Sequence, residues 1–235
     1  MKKAFFYGDS NTFGYDPAGF MGGRYPYAAR WTTILQENLA GEWEIESDGM
    51  PGRALPITQY EWNYIRGLVR QAMPFDVFGV MLGTNDLLST LYPDAAKAMG
   101  RMNALLDFVR RSWKEAAAEA AEKDAGASPS GSLENGNADE KARALQLLLI
   151  APPKVLLTDL SYGEPYVTGD RTYAQIYYEE ARRLSQYYRA LAASRGDAFA
   201  DAFSWDLEFA FDGVHLSEAG HAAFARQMTD VMRRL

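Results

Sequence analysis

A chain of 235 residues, 48% hydrophobic and 13% aromatic, can bury the core of a medium-large α/β domain, and no stretch has the apolar length of a membrane span. Its net charge of -7 argues against a polyanionic partner such as nucleic acid, and the absence of cysteine removes disulfides, thiolate nucleophiles and cysteine-bound metals together. With two histidines, His215 and His221, a histidine metal centre has almost nothing to be built from, so no metal or other cofactor is expected and a histidine base has two candidates.

The opening Met1-Lys2-Lys3 resembles a signal n-region, but the apolar run stops at Gly8-Asp9 before an h-region forms, which predicts a cytoplasmic chain. Residues Lys3 to Tyr7 read as a buried strand running into Gly8-Asp9-Ser10-Asn11-Thr12. Residues 15–29, rich in Gly, Pro, Tyr and Ala, read as a rim loop, and Arg30 to Leu39 as a helix. Trp43 to Ser47 alternates like a strand, and Asp48 to Arg53 follows as a turn. Helical spacing of Trp62, Ile65 and Val69 leads to a third strand, Phe75 to Leu82, which ends in Gly83-Thr84-Asn85-Asp86.

A long helix is predicted over Asp94 to Ala121, then a polar, aromatic-free insertion at 122–141 that is expected to be mobile. Leu145 to Ala151 is the fourth strand, and residues 154–171 form a long loop carrying Tyr162 and Tyr166. A helix from Thr172 to Ser194 stops at Arg195-Gly196, Phe199 to Asp201 is a short last strand, and Ser217 caps a final amphipathic helix. The alternation predicts one α/β domain over residues 1–235, a three-layer, doubly wound, five-stranded parallel sheet in flavodoxin-like order 2-1-3-4-5. Strand one is then central, and Ser10 lies at a topological switch point.

A hydroxyl at the carboxyl end of such a strand faces the crevice where ligands bind. Read alone, Gly8-Asp9-Ser10 is ordinary turn and cap chemistry. Asp212-Gly213-Val214-His215, between the last strand and last helix, changes that reading. Asp212 can hold the imidazole in the tautomer whose Nε2 takes the Ser10 proton. His221 falls in register with Phe224 and Met228 on a buried helix face and suits packing instead. Gly52 lets backbone approach a reacting carbonyl and Asn85 offers an amide donor, so Ser10, Gly52 and Asn85 are candidates for an oxyanion hole, while Asp86 reads as a helix cap.

These four blocks, in this order, resemble the SGNH, or GDSL-type, esterase and lipase superfamily. The resemblance implies a serine hydrolase acting on small-molecule carboxylic esters, with Ser10 the nucleophile, His215 the base, Asp212 its orienter, and Ser10, Gly52 and Asn85 the oxyanion hole. Arg30-Trp31-Thr32 and Gly52-Arg53 look most like the bacterial arylesterase and acyltransferase branch, which implies short acyl esters; Asn11 departs from the Leu common in the first block. Asp9, Trp31, Arg53, Thr84, Tyr162, Tyr166 and Val214 are candidates for substrate contact. Acyl transfer at the same site, a flavodoxin-like binding module, a catalytically silent member of the fold and a homo-oligomer stay open; no membrane or nucleic-acid partner is expected.

Overall fold

In the computed structural model, residues 1–19, 23–126, 145–158, 161 and 172–235 are described. In chain order the elements are β1 (Lys2–Gly8), α1 (Ser10–Phe13), β2 (Tyr15–Asp16), β3 (Gly23–Arg24), α2 (Trp31–Asn38), β4 (Trp43–Gly49), α3 (Gln59–Ala72), β5 (Val77–Met81), α4 (Thr84–Leu88), α5 (Ala95–Gly126), β6 (Gln146–Ala151), α6 (Thr172–Arg195), β7 (Ala198–Asp201) and α7 (Glu218–Met232). Five of the strands form one parallel sheet in the order β4-β1-β5-β6-β7, which is 2-1-3-4-5 when its own strands are counted.

The sheet is covered on both faces because its strands are apolar on both. Along β1, Phe5 and Tyr7 face one way and Ala4 and Phe6 the other, and Phe78/Val80 against Val77/Met81 repeat the split on β5. The first face packs against Ile65 and Val69 of α3, Met102, Leu105 and Val109 of α5, and Leu184 and Tyr188 of α6. Trp31 and Leu35 of α2 and Phe224 and Met228 of α7 cover the second. At about 25 cal/mol per Å² of apolar surface, each fully buried large side chain among these contributes on the order of 1.5–3 kcal/mol; β5 and β6 carry no charge, and on β1 charge is confined to Lys2 and Lys3 at its start.

Local chemistry sets the ends. Thr58 and Glu61 form a capping box on α3, Ser217 caps α7 by accepting the Gly220 N–H, and Gly196 follows α6. The rim loop holds a short β2–β3 hairpin and a 3₁₀ turn over Tyr27–Ala29, fastened by Arg24 Nε to the Phe13 carbonyl (2.7 Å) and by Tyr25 N–H to Gly14 O (2.9 Å); residues 20–22 lie outside the described set. Gly83-Thr84-Asn85-Asp86 opens α4, with Gly83 as its N-cap. The insertion predicted to start at 122 begins within α5, which runs to Gly126; residues 127–144 lie outside the described set. Among the described residues no helix is long and apolar enough to cross a membrane.

Candidate active site

The parallel order brings the carboxyl ends of β4, β1 and β5 side by side, so the loops after Gly49, Gly8 and Met81 share one edge of the sheet. Ser10 opens α1 immediately past β1. The N-cap of this four-residue helix is Asp9, whose Oδ1 accepts the Asn11 N–H at 3.0 Å. Asp9 is buried, and burial pushes its carboxyl up to about 6, with the Asn11 N–H pulling the other way.

From the far end of the chain comes the loop between β7 and α7. Gly213 has φ +67°, and a Cβ there would lie 1.8 Å from the Leu156 carbonyl oxygen, so only glycine lets this turn pass. The turn wraps around the Asp212 carboxylate: Oδ1 accepts the N–H groups of Val214 and His215, both at 3.0 Å, and Oδ2 meets His215 Nδ1 at 2.5 Å. Burial works to raise the Asp212 carboxyl, but the ring and the two backbone donors outweigh it, and it stays below the ordinary carboxylate range. His215 Nε2 lies 2.9 Å from Ser10 Oγ, which completes a hydrogen-bonded chain from Asp212 through His215 to Ser10.

Gly52 and Asn85 meet through a shared neighbour. Asn85 Nδ2 donates to the carbonyl of Arg53, the residue after Gly52, at 2.9 Å, which uses one of the two donors on its amide. Gly52 has φ +74° and open space where a Cβ would stand. The loop that carries it is tied to the end of β1: Met50 N–H donates to Gly8 O at 3.2 Å, and Arg53 Nη1 donates to the same oxygen at 2.8 Å.

Several residues considered for substrate contact have other work here. Arg53 is buried, its guanidinium spent on Gly8 O, the Asp48 carbonyl and the Asp48 carboxylate while lying 4.2 Å over the Tyr7 ring, so it is a strut between β1 and β4. Trp31 has no exposed surface at all; it packs edge-on against Phe6 and donates from Nε1 to Asn11 O, so it belongs to the core beneath the site. Thr84 is buried in the first turn of α4. Val214 is half-buried beside His215, and Tyr162 and Tyr166 lie outside the described residues.

Asp86, expected to cap a helix, does not. Gly83 is the N-cap of α4, while the buried Asp86 carboxylate accepts the Leu55 N–H (2.9 Å) and Arg101 Nη1 (3.1 Å), anchoring the chain just past Arg53. Burial dominates and raises its pKa, with both partners opposing. His221 is fully buried on α7, edge-on to Tyr25. Two neighbours of the Asp212–His215–Ser10 chain of hydrogen bonds were not singled out as site residues in the sequence, Tyr15, whose ring lies 4.6 Å from that of His215, and Asn11; no spacing rule reveals a ring from the rim hairpin. Among the described residues, no three His, Asp or Glu side chains converge as a metal site requires.

The fold is shared with solved structures along the whole chain. The chain aligns end to end with the native aryl esterase of M. smegmatis (TM-score 0.76, 22% identity, 100% of both chains). It also aligns with Est24, a carbohydrate acetylesterase of Sinorhizobium meliloti (0.75, 21%, covering 100% of this chain and 99% of that one), and with a carbohydrate acetylesterase family member of the same organism (0.75, 25%, 100% and 98%). A search of curated protein sequences finds no significant match. The model of the GDSL-like Lipase/Acylhydrolase family matches residues 6–223, nearly the whole chain, and the protein belongs to that family of carboxylic ester hydrolases.

Proposed function

We propose that the protein hydrolyses esters of short acyl groups through an acyl-enzyme on Ser10. The observation that carries this reading is the chain of contacts Asp212 Oδ2–His215 Nδ1 (2.5 Å) and His215 Nε2–Ser10 Oγ (2.9 Å) at the carboxyl end of a central strand. In the first step Ser10 Oγ attacks the ester carbonyl carbon while its proton passes to His215 Nε2, and Asp212 stabilises the imidazolium that forms. The oxyanion of the tetrahedral intermediate takes hydrogen bonds from the N–H groups of Ser10 and Gly52 and from the second N–H of the Asn85 amide. Collapse breaks the C–O bond to the alcohol, which leaves with the proton from His215. Water then attacks the acyl-Ser10 ester with His215 again as base, releasing the acid and restoring the serine.

Two things support a small acyl group: the likeness to an aryl esterase and to carbohydrate acetylesterases, one of them at 25% identity, and the resemblance to the arylesterase branch in residues 30–32 and 52–53. The family match over residues 6–223 supports reading the chain as one hydrolase domain. A phosphate-cradling module at the same switch point would leave the Asp212–His215–Ser10 chain of bonds without a purpose.

The test is labelling by a fluorophosphonate, which requires an activated serine. Wild type is expected to label on Ser10, and Ser10→Ala to lose both labelling and at least ~10³-fold in kcat on an activated acetyl ester while keeping its fold. Near-wild-type turnover by the folded variant would remove Ser10 as nucleophile.

A further inference from the structure

Asn11 follows the nucleophile in sequence and is buried, yet all four of its polar groups are engaged. Its main chain is fixed to the core, the N–H donating to Asp9 Oδ1 and the carbonyl accepting from Trp31 Nε1, each at 3.0 Å. The side chain reaches to the other end of the protein. Nδ2 donates to Val214 O at 3.2 Å and Oδ1 accepts the Leu216 N–H at 2.9 Å, so the amide grips the residues on either side of His215. Only an amide fits this fork, because one arm meets a carbonyl and the other an N–H; turned over, it would set oxygen against oxygen.

Asp212 and His215 belong to one turn, so their mutual bonds orient the ring within the loop but contain no reference to Ser10, 205 residues away in sequence. Among the described residues no backbone hydrogen bond joins the Asp9–Gly14 turn to the 212–216 loop. The tie between them is the Ser10–His215 contact itself, the Tyr15 ring against His215, and the Asn11 fork. The Ser10–His215 contact cannot hold the register through the reaction, because its proton moves and the imidazolium must then turn its N–H to the leaving oxygen. The two Asn11 bonds involve no group that changes protonation.

We propose that Asn11 is a positioning residue for ester cleavage, holding the base loop in register with the nucleophile turn and so setting the distance from His215 Nε2 to Ser10 Oγ. This rests on reading Ser10 as nucleophile and His215 as base. A displacement of about 1 Å between reacting groups costs on the order of 10²-fold in rate, and that is the loss expected when both arms of the fork are removed.

The experiment measures kcat and KM on p-nitrophenyl acetate, together with thermal melting, for Asn11→Leu and for Asn11→Ser, the latter leaving room for water should the leucine not fold. Each variant is made in the wild-type and in the His215→Ala background. In the wild-type background kcat should fall by ~10²-fold for Asn11→Leu, with KM held within about twofold. In the His215→Ala background the same change should alter the residual rate by less than about twofold, since a residue acting through the base has nothing left to act on. Equal losses in both backgrounds, a lowered melting temperature with kcat spared, or failure of both Asn11 variants to fold would each make Asn11 a fold determinant and overturn the proposal. Should His215→Ala alone retain wild-type kcat, the assignment of the base falls first, and the Asn11 proposal with it.

Discussion

His221 gives a stability prediction whose size follows from its surroundings. It is fully buried on α7 and neither ring nitrogen has a hydrogen-bond partner among the described residues, so the fold favours the neutral ring. Burial, and to a lesser extent the nearby His215, lowers its pKa from 6.5 to about 4. Between these values the unfolded chain binds the proton and the folded one does not, so stability is full above 6.5 and is lost as pH falls towards 4. Moving from about pH 7.5 to about pH 5 costs the fold roughly 2 kcal/mol through this residue alone. Asp9 opposes it: burial raises its carboxyl from 3.8 to about 6, so the folded state binds the extra proton and gains as pH falls through that window. That gain is about 1.4 kcal/mol over the same interval, so the two nearly mask each other in the wild type. His221→Phe, which keeps an aromatic edge towards Tyr25, unmasks the difference. In urea unfolding at the two pH values, the variant should gain about 2 kcal/mol relative to wild type on going to the acid condition, whatever its fixed cost at neutral pH. Parallel pH dependences would refute the reasoning, because they would mean that the ring is protonated or hydrated in the fold.

Asn85→Ala should lower kcat by about 10²- to 10³-fold with little change in KM, since a donor to the oxyanion acts on the transition state; steady-state kinetics on an activated acetyl ester decides it. Asp86→Ala leaves the Leu55 N–H unpaired and Arg101 without its carboxylate, so it should cost about 1–3 kcal/mol in unfolding free energy while kcat changes by less than about tenfold. The reverse pattern, with Asp86 kinetic and Asn85 structural, would exchange their roles.

The sheet was legible because its signals are local. The inner strands hold short apolar runs, the edge strand Trp43–Gly49 alternates, and the order 2-1-3-4-5 follows from the β-α alternation once strand one is placed in the middle. The same kind of signal marked Ser10, Asp212 and His215, since a short turn at a strand end sets where its side chains go. What sequence spacing could not reveal depends on partners remote in the chain. Arg53 looks like a cation waiting for a substrate until Gly8 and Asp48 are seen to surround it, and Trp31 looks like a crevice wall until Phe6 and Phe224 enclose it. Asp86 has cap spacing, yet the Leu55 N–H, 31 residues away, takes its carboxylate. Asn11 reads as a departure from a motif, and its purpose becomes visible only when Val214 and Leu216 stand on either side of it.

The geometry around Asp212 yields a sharper prediction, for a substitution that changes one atom. Oδ1 already accepts two backbone N–H groups, from Val214 and His215, while Oδ2 alone faces the ring. In Asp212→Asn the amide must choose: with its oxygen on the two N–H groups, its NH2 points at Nδ1; with its NH2 there instead, two donors meet two donors. The first arrangement keeps both backbone bonds and is the one expected. It makes Nδ1 the acceptor, so the proton of neutral His215 moves to Nε2, and Nε2 then has no lone pair with which to take the Ser10 proton. The fold should therefore be kept, with a melting temperature near that of wild type, while kcat at neutral pH falls on the order of 10⁴-fold. Asp212→Ala removes the loop's two hydrogen-bond anchors yet imposes no tautomer, because water can take the Nδ1 proton. Asparagine should therefore be no more active than alanine at this position although it is the closer mimic. An Asp212→Asn enzyme within about tenfold of wild type would show that His215 does not depend on this carboxylate for its tautomer, and the base would have to be sought elsewhere.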